Sequence, residues 1–114
     1  MLLVLWLILV ATPQYETSLA SSHAVSPKTL QRAFLCIYKY ENGGGGWRAN
    51  TGNGYYGGLQ MDREFQETYG REYLKMWGTA DNWPSHVQLA VAYKAYYTRG
   101  FNPWRNTARL CGLL

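Results

Sequence analysis

Four consecutive glycines, Gly43–Gly46, divide this 114-residue chain, and neither a helix nor a regular strand can run through them. Glycine gives up more backbone entropy than any other residue on entering regular structure, so four in a row end whatever precedes them. What precedes them reads as a helix. Ser26 can cap it and Pro27 suits its first turn. Leu30, Phe34 and Ile37 recur at three-to-four spacing and so share one face, and one further step along that stripe reaches Glu41. Cys36 and Tyr40 fall on a neighbouring stripe. The helix is expected to run to about Glu41, with Asn42 and the glycines closing it.

Beyond the glycines, Trp47 to Met61 reads as a loop containing a small, irregular β-hairpin. Asn53-Gly54 is a turn signal, and Gly57-Gly58 permits close backbone approach. Asp62 can cap a helix to about Tyr69, followed by Gly70, and a second short helix covers Arg71 to Trp77 and closes at Gly78. Asn82-Trp83-Pro84-Ser85 opens the next helix, which reaches Arg99. Its Val87, Leu89, Ala90, Val91, Ala92, Ala95 and Tyr96 spread round most of the circumference, the pattern of a central, buried helix. Phe101 to Trp104 reads as a turn and Thr107 to Cys111 as a last helical turn. The length leaves room for one domain and a short extension.

That extension is residues 1–24. Met1 to Ala11 form an apolar run shorter than the ~20 residues a membrane span needs, and about the length of a signal-peptide core. Small residues at Ser18-Leu19-Ala20 and Ser22-His23-Ala24 offer two cleavage sites. The second is preferred, so residues 1–24 are expected to be a signal peptide or N-terminal anchor, and residues 25–114 the functional domain. No Lys or Arg precedes the run, which keeps the anchor reading open. All eleven Lys and Arg lie after Ala24 with six of the seven acids, giving that domain a net charge of about +5. A basic domain is drawn to polyanions, among them an anionic cell wall. No dense Lys/Arg patch points to nucleic acid. In an exported small domain the two cysteines, Cys36 and Cys111, most simply pair. The alternative is two buried thiols. Neither a metal nor another cofactor is expected, since His23 and His86 stand apart from any Cys-x-x-Cys arrangement.

Glu41 is the candidate for chemistry. Burial at the end of an apolar stripe raises a carboxyl pKa, and the negative end of a helix disfavours a carboxylate. Both favour a carboxyl that keeps its proton, which is what glycosidic cleavage requires of an acid. The alternative is an ordinary exposed Glu at a frayed helix end. Ten Tyr and five Trp make the chain rich in flat rings with polar handles, which suit sugars. Trp47, Asn50, Thr51, Asn53, Tyr55, Tyr56 and Gln60 could supply ring faces and amide or hydroxyl partners to a glycan, or could simply be hairpin turn residues and core aromatics.

The string from Trp47 to Met61, W-x-x-N-T-G-N-G-Y-Y-G-G-L-Q-M, with Glu41 ahead of it, closely resembles the resuscitation-promoting-factor domain, a branch of the lysozyme-like and transglycosylase-like superfamily. Looser similarity through Gln88, Val91, Ala92, Trp104 and Cys111 extends the resemblance over about residues 27–112. It implies an α+β, mainly α, compact lysozyme-like fold with a small β-hairpin. It also implies cleavage of the β-1,4 bond between N-acetylmuramic acid and N-acetylglucosamine, with Glu41 as acid and Tyr55 to Gln60 in the glycan groove. Three departures stand out. Tyr40 occupies the place before the acid where the family commonly has Cys, with Cys36 one helical turn earlier. The glycine run is one residue longer. Phe65-Gln66 stand where the family often has Thr-Trp, so a hydroxyl contact is missing.

A retaining glycosidase needs a second carboxylate about 5 Å from the acid and an inverting one about 6.5–9.5 Å. Asp62 is the best-placed candidate, although it also reads as a helix cap. Without a partner, a lytic transglycosylase route is favoured, in which Glu41 acts first as acid and then as base. The expected partner is peptidoglycan glycan strands, the expected state a monomer, and the expected location secreted or cell-wall associated, touching membrane only through an uncleaved N-terminus. Two other classes are compatible with the residues: a non-catalytic wall-glycan-binding module and a membrane-tethered interaction protein.

Overall fold

The computed structural model describes residues 25–114; the apolar run and the cleavage sites expected before Val25 lie outside the described residues. Helix α1 (Pro27–Glu41) begins where Ser26 Oγ accepts a hydrogen bond from the Thr29 amide at 3.1 Å, with Pro27 in the first turn. Leu30, Ala33, Phe34 and Ile37 are its buried residues, the stripe expected from their spacing. Asn42 closes the helix. Its Nδ2 donates to the Tyr38 carbonyl at 2.7 Å and its Oδ1 accepts from the Gly44 amide at 2.8 Å. One side chain thus adds a second bond to a carbonyl that the Asn42 amide already serves and ties down the glycine turn that follows.

The hairpin pairs β1 (Tyr55–Tyr56) with β2 (Met61–Asp62) in antiparallel register, Tyr55 opposite Asp62 and Tyr56 opposite Met61. Its reversal lies at Gly57–Gln60, not at Asn53-Gly54. The Gly57 carbonyl accepts from both the Gln60 amide, at 3.2 Å, and Gln60 Nε2, at 3.0 Å. Asn53-Gly54 instead shapes the entry to β1, where Asn53 Oδ1 accepts from the Tyr55 amide at 3.0 Å. Both dipeptides allow a tight turn locally. Gly57-Gly58 makes the reversal because other parts of the fold press on it: a side chain at Gly58 would collide with the Tyr38 and Trp47 rings.

Helices α2 (Arg63–Tyr69) and α3 (Arg71–Trp77) follow, then the central α4 (Ser85–Arg99). Asp62 caps α2 as expected, accepting from the Phe65 amide at 2.8 Å. Val87, Leu89, Val91, Ala92 and Ala95 of α4 are buried, together with Gln88; Ala90, expected among them, is exposed. A 3-10 turn at Asn102–Trp104 runs straight into α5 (Arg105–Leu110), which therefore starts two residues before the expected Thr107. The architecture is the mainly α, lysozyme-like α+β arrangement with one small sheet.

The core gathers round Phe34, which is fully buried, with the rings of Tyr93, Tyr96, Phe101 and Trp104 at centroid distances of 5.6, 6.5, 5.5 and 4.9 Å. Tilted and edge-on pairs of this kind contribute about 0.5–1.5 kcal/mol each beyond area burial. Two fully buried glutamines hold the irregular segments to this core. Gln88 accepts from the Gly58 amide at 2.9 Å and donates to the carbonyls of Trp47 at 2.8 Å and Trp83 at 3.0 Å. Gln66 donates to the Met61 carbonyl at 2.9 Å and accepts from the Ala80 amide at 2.8 Å. Cys36 and Cys111 form a disulfide across 75 residues, joining α1 to the end of α5.

Two stability measurements follow from this arrangement. Breaking the Cys36–Cys111 bond frees a long loop in the unfolded chain, worth up to about 4–5 kcal/mol in the chain-entropy account. The Cys36→Ser/Cys111→Ser double variant is expected to unfold at clearly lower urea concentration, and an unchanged midpoint would show that the bond adds nothing. Gln88→Leu leaves two buried backbone groups and one part-buried one without the Gln88 partner, at about 1–3 kcal/mol for each buried group. A loss of at least about 2 kcal/mol is expected in urea unfolding, and a loss under ~1 kcal/mol would mean that these groups find other partners.

Candidate active site

Glu41 ends α1 with its carboxyl half-buried. Burial pushes this carboxyl above its ordinary value of 4.5, and a hydrogen bond from the Thr107 hydroxyl works partly against that rise. Thr107 Oγ1 lies 2.8 Å from Glu41 Oε1 across 66 residues of chain, so the contact exists only because α5 packs on α1. The same hydroxyl lies 3.1 Å from the Trp104 carbonyl. A half-buried carboxyl with a raised pKa is a candidate general acid on physical grounds.

Trp104 connects the acid to the hairpin. Its indole Nε1 donates to the Leu59 carbonyl at 2.8 Å, and its ring forms part of the wall of a cavity of about 310 Å³. Tyr55, Gln60, Asp62, Phe65, Tyr69 and Arg99 also line this cavity. Glu41 is not on its wall. It stands beside the cavity, one hydrogen-bonded step behind Trp104 through Thr107. Gln60 has φ 51°, the one described non-glycine residue with positive φ. The hydrogen bond that its side-chain amide donates to the Gly57 carbonyl holds that turn at the cavity edge.

The residues expected from the sequence fall into three groups. Tyr55, Gln60 and Asp62 meet at the cavity, and Tyr55 presents an exposed ring. Asp62 uses Oδ1 as the cap of α2. Trp47 and Tyr56 pack against the core. Trp47 is stacked on Tyr38 with centroids 4.1 Å apart and planes 14° from parallel, and both rings press on the Gly58 backbone. Asn50, Thr51 and Asn53 lie exposed in the loop before β1. Asn50 accepts from the Gly52 amide at 3.2 Å and donates to Asp81 at 3.3 Å, while Asn53 serves the Tyr55 amide.

Several members of the site were not identified from the sequence. Thr107 looked like an ordinary residue of a short helix. In the sequence Gln88 carries the resemblance and Gln66 departs from it, and only their burial and hydrogen bonds show them to be fasteners of the loop. Arg99 and Tyr69 reach the cavity from the ends of α4 and α2, and linear spacing carries no signal for that meeting.

The family model described as the transglycosylase-like domain matches residues 36–107. Among curated proteins, resuscitation-promoting factor RpfB of Mycolicibacterium smegmatis is 38% identical over 61 residues, which are 54% of this chain and 16% of that protein. Resuscitation-promoting factor Rpf1 of Corynebacterium glutamicum is 34% identical over 70 residues, 61% of this chain and 35% of that protein. Both matches thus span only a minor part of the relatives' length. With most of its described residues matched, from the bridged Cys36 through Glu41 to Thr107, the chain belongs to the transglycosylase-like domain family.

Proposed function

We propose that this chain is a peptidoglycan-cleaving, muralytic enzyme that breaks the β-1,4 bond between N-acetylmuramic acid and N-acetylglucosamine, with Glu41 as general acid. The observation that carries the proposal is the half-buried Glu41 carboxyl, raised in pKa and joined through Thr107 to Trp104, which lines a cavity of about 310 Å³. The family match supports glycan-bond chemistry. In the first step Glu41 gives its proton to the glycosidic oxygen as the C1–O bond breaks, and the bond pair leaves with that oxygen. The carboxylate then acts as base. We favour the lytic transglycosylase route, in which Glu41 takes the proton of the substrate's own C6 hydroxyl as that oxygen attacks C1, giving a 1,6-anhydro sugar. Supporting this choice, Asp62 lines the cavity but is engaged as a helix cap. Tyr55 and Gln60 are proposed to contact the sugar rings. Peptidoglycan strands are the proposed substrate, and a secreted or wall-associated location fits the disulfide, a bond kept in oxidising compartments. No helix among the described residues is long and apolar enough to cross a membrane.

Glu41→Gln is expected to lower the rate of peptidoglycan digestion by at least ~10²-fold, the usual scale for a general acid. Wild-type rates in that variant would leave a glycan-binding domain as the better description. Mass spectrometry of the products is expected to find 1,6-anhydro ends; reducing ends would assign a hydrolase instead.

The raised pKa has a consequence for stability as well. The native state holds the Glu41 proton more tightly than the unfolded chain does. Between pH 4.5 and the native pKa the unfolded state is therefore the one favoured as pH rises. Glu41→Gln removes this penalty. The melting temperature of the variant minus that of wild type is expected to grow as pH is raised from about 4 to 8. A flat difference would mean that Glu41 titrates as it does in the unfolded chain.

A further inference from the structure

The Thr107 hydroxyl has a single proton and two acceptors within reach, Glu41 Oε1 at 2.8 Å and the Trp104 carbonyl at 3.1 Å. It cannot donate to both at once. When Glu41 is ionised, a bond from Thr107 to Oε1 is charge-assisted and is the stronger choice. When the proton sits on Oε2, the neutral carboxyl is a weaker acceptor and the same hydroxyl can turn to the Trp104 carbonyl. The Thr107 hydroxyl therefore has an acceptor in each protonation state of the acid, reached by rotation about one C–O bond. We propose that Thr107 is a positioning residue for the Glu41 carboxyl: its hydroxyl fixes Oε1 against α5 and leaves Oε2 to carry the exchanged proton.

The arrangement is braced. Thr107 sits on α5 four residues before Cys111, and Glu41 sits on α1 five residues after Cys36. The disulfide and the Thr107–Glu41 bond are thus two cross-links between the same two helices. A donor held in place before reaction stabilises the charge left on the acid without reorganising as that charge forms. Other charged groups do not take this role. Lys39 and Tyr40 in the last turn of α1 are exposed, as are Arg105 and Arg109 of α5. Tyr93 and Tyr96 of α4 face α1 at Phe34. Among the described residues the ion pair is Arg63–Glu67, remote from Glu41 in sequence and on α2.

The inference rests on Glu41 being the acid, and the test separates the two. Wild type, Glu41→Gln, Thr107→Val and Thr107→Ser are compared on insoluble peptidoglycan across pH. In parallel, the Glu41 side-chain carboxyl is titrated by carbon NMR in the wild type and both Thr107 variants. Thr107→Val is expected to lower kcat roughly ten- to a hundredfold, the size of one hydrogen bond to a charged group. It is also expected to move the alkaline limb of kcat/KM and the NMR titration of Glu41 to higher pH, because the group that favours the ionised form is gone. Thr107→Ser, which keeps the hydroxyl, is expected to restore both. An unmoved titration and limb in Thr107→Val, with Glu41→Gln inactive, would overturn the role of Thr107 alone. An active Glu41→Gln would overturn both readings. The NMR titration needs no turnover, so it decides the matter even where a Thr107 variant digests too slowly to profile.

Discussion

The covalent bond between Cys36 and Cys111 joins the last short helix to the first, and the hydrogen bond that the Glu41 carboxyl accepts depends on that contact. A six-residue helix has little stability of its own, since nucleation fixes several residues for few hydrogen bonds. Held on α1, it delivers Thr107 to the carboxyl, and the 3-10 turn that leads into it carries Trp104 to the cavity wall. Burial raises the pKa of Glu41, and the Thr107 hydroxyl that this packing brings works against the rise. The staple, the acid and its hydrogen-bond donor form one structural unit.

A second constraint acts on the hairpin. A sheet with two residues per strand cannot position a binding surface by its own ladder. Buried amides do that work. Gln88 reaches from the central helix to Trp47, Gly58 and Trp83, and Gln66 links the end of β2 to Ala80. A glutamine side chain offers both an acceptor and two donors, so each one satisfies backbone groups from separate segments at once. The loop can then be glycine-rich and irregular while staying anchored. Gly58 shows the closeness of the fit, since its backbone lies where a side chain would strike the Tyr38 and Trp47 rings.

Much of the fold was legible in the chain itself. The bounds of α1, α2, α3 and α4 follow from local signals: Ser26 and Asp62 as caps, Pro27 in a first turn, and Gly70, Gly78 and Gly100 as stops. The hairpin was legible as an element, but its reversal was not, because Asn53-Gly54 and Gly57-Gly58 are both competent turns and only packing chooses between them. Within the site, the stripe that leads to Glu41 was visible as a periodicity. The division of the aromatics was not. Trp47 looked as suitable for a sugar as Tyr55, yet one is stacked on Tyr38 and the other presents an exposed ring at the cavity.

Sequence alone determined where helices start and stop, which face of α1 turns inward, and that a carboxylate stands at the end of that face. These are properties of neighbours along the chain, and capping, proline geometry and residue spacing act over a few residues. Tertiary structure decided which partner that carboxylate has, how far burial raises its pKa, and which side chains share the cavity. Thr107 lies 66 residues from Glu41, and Gln88 lies 30 and 41 residues from the loop groups it binds. Contacts over such separations depend on how helices pack in three dimensions, and no local pattern encodes that distance.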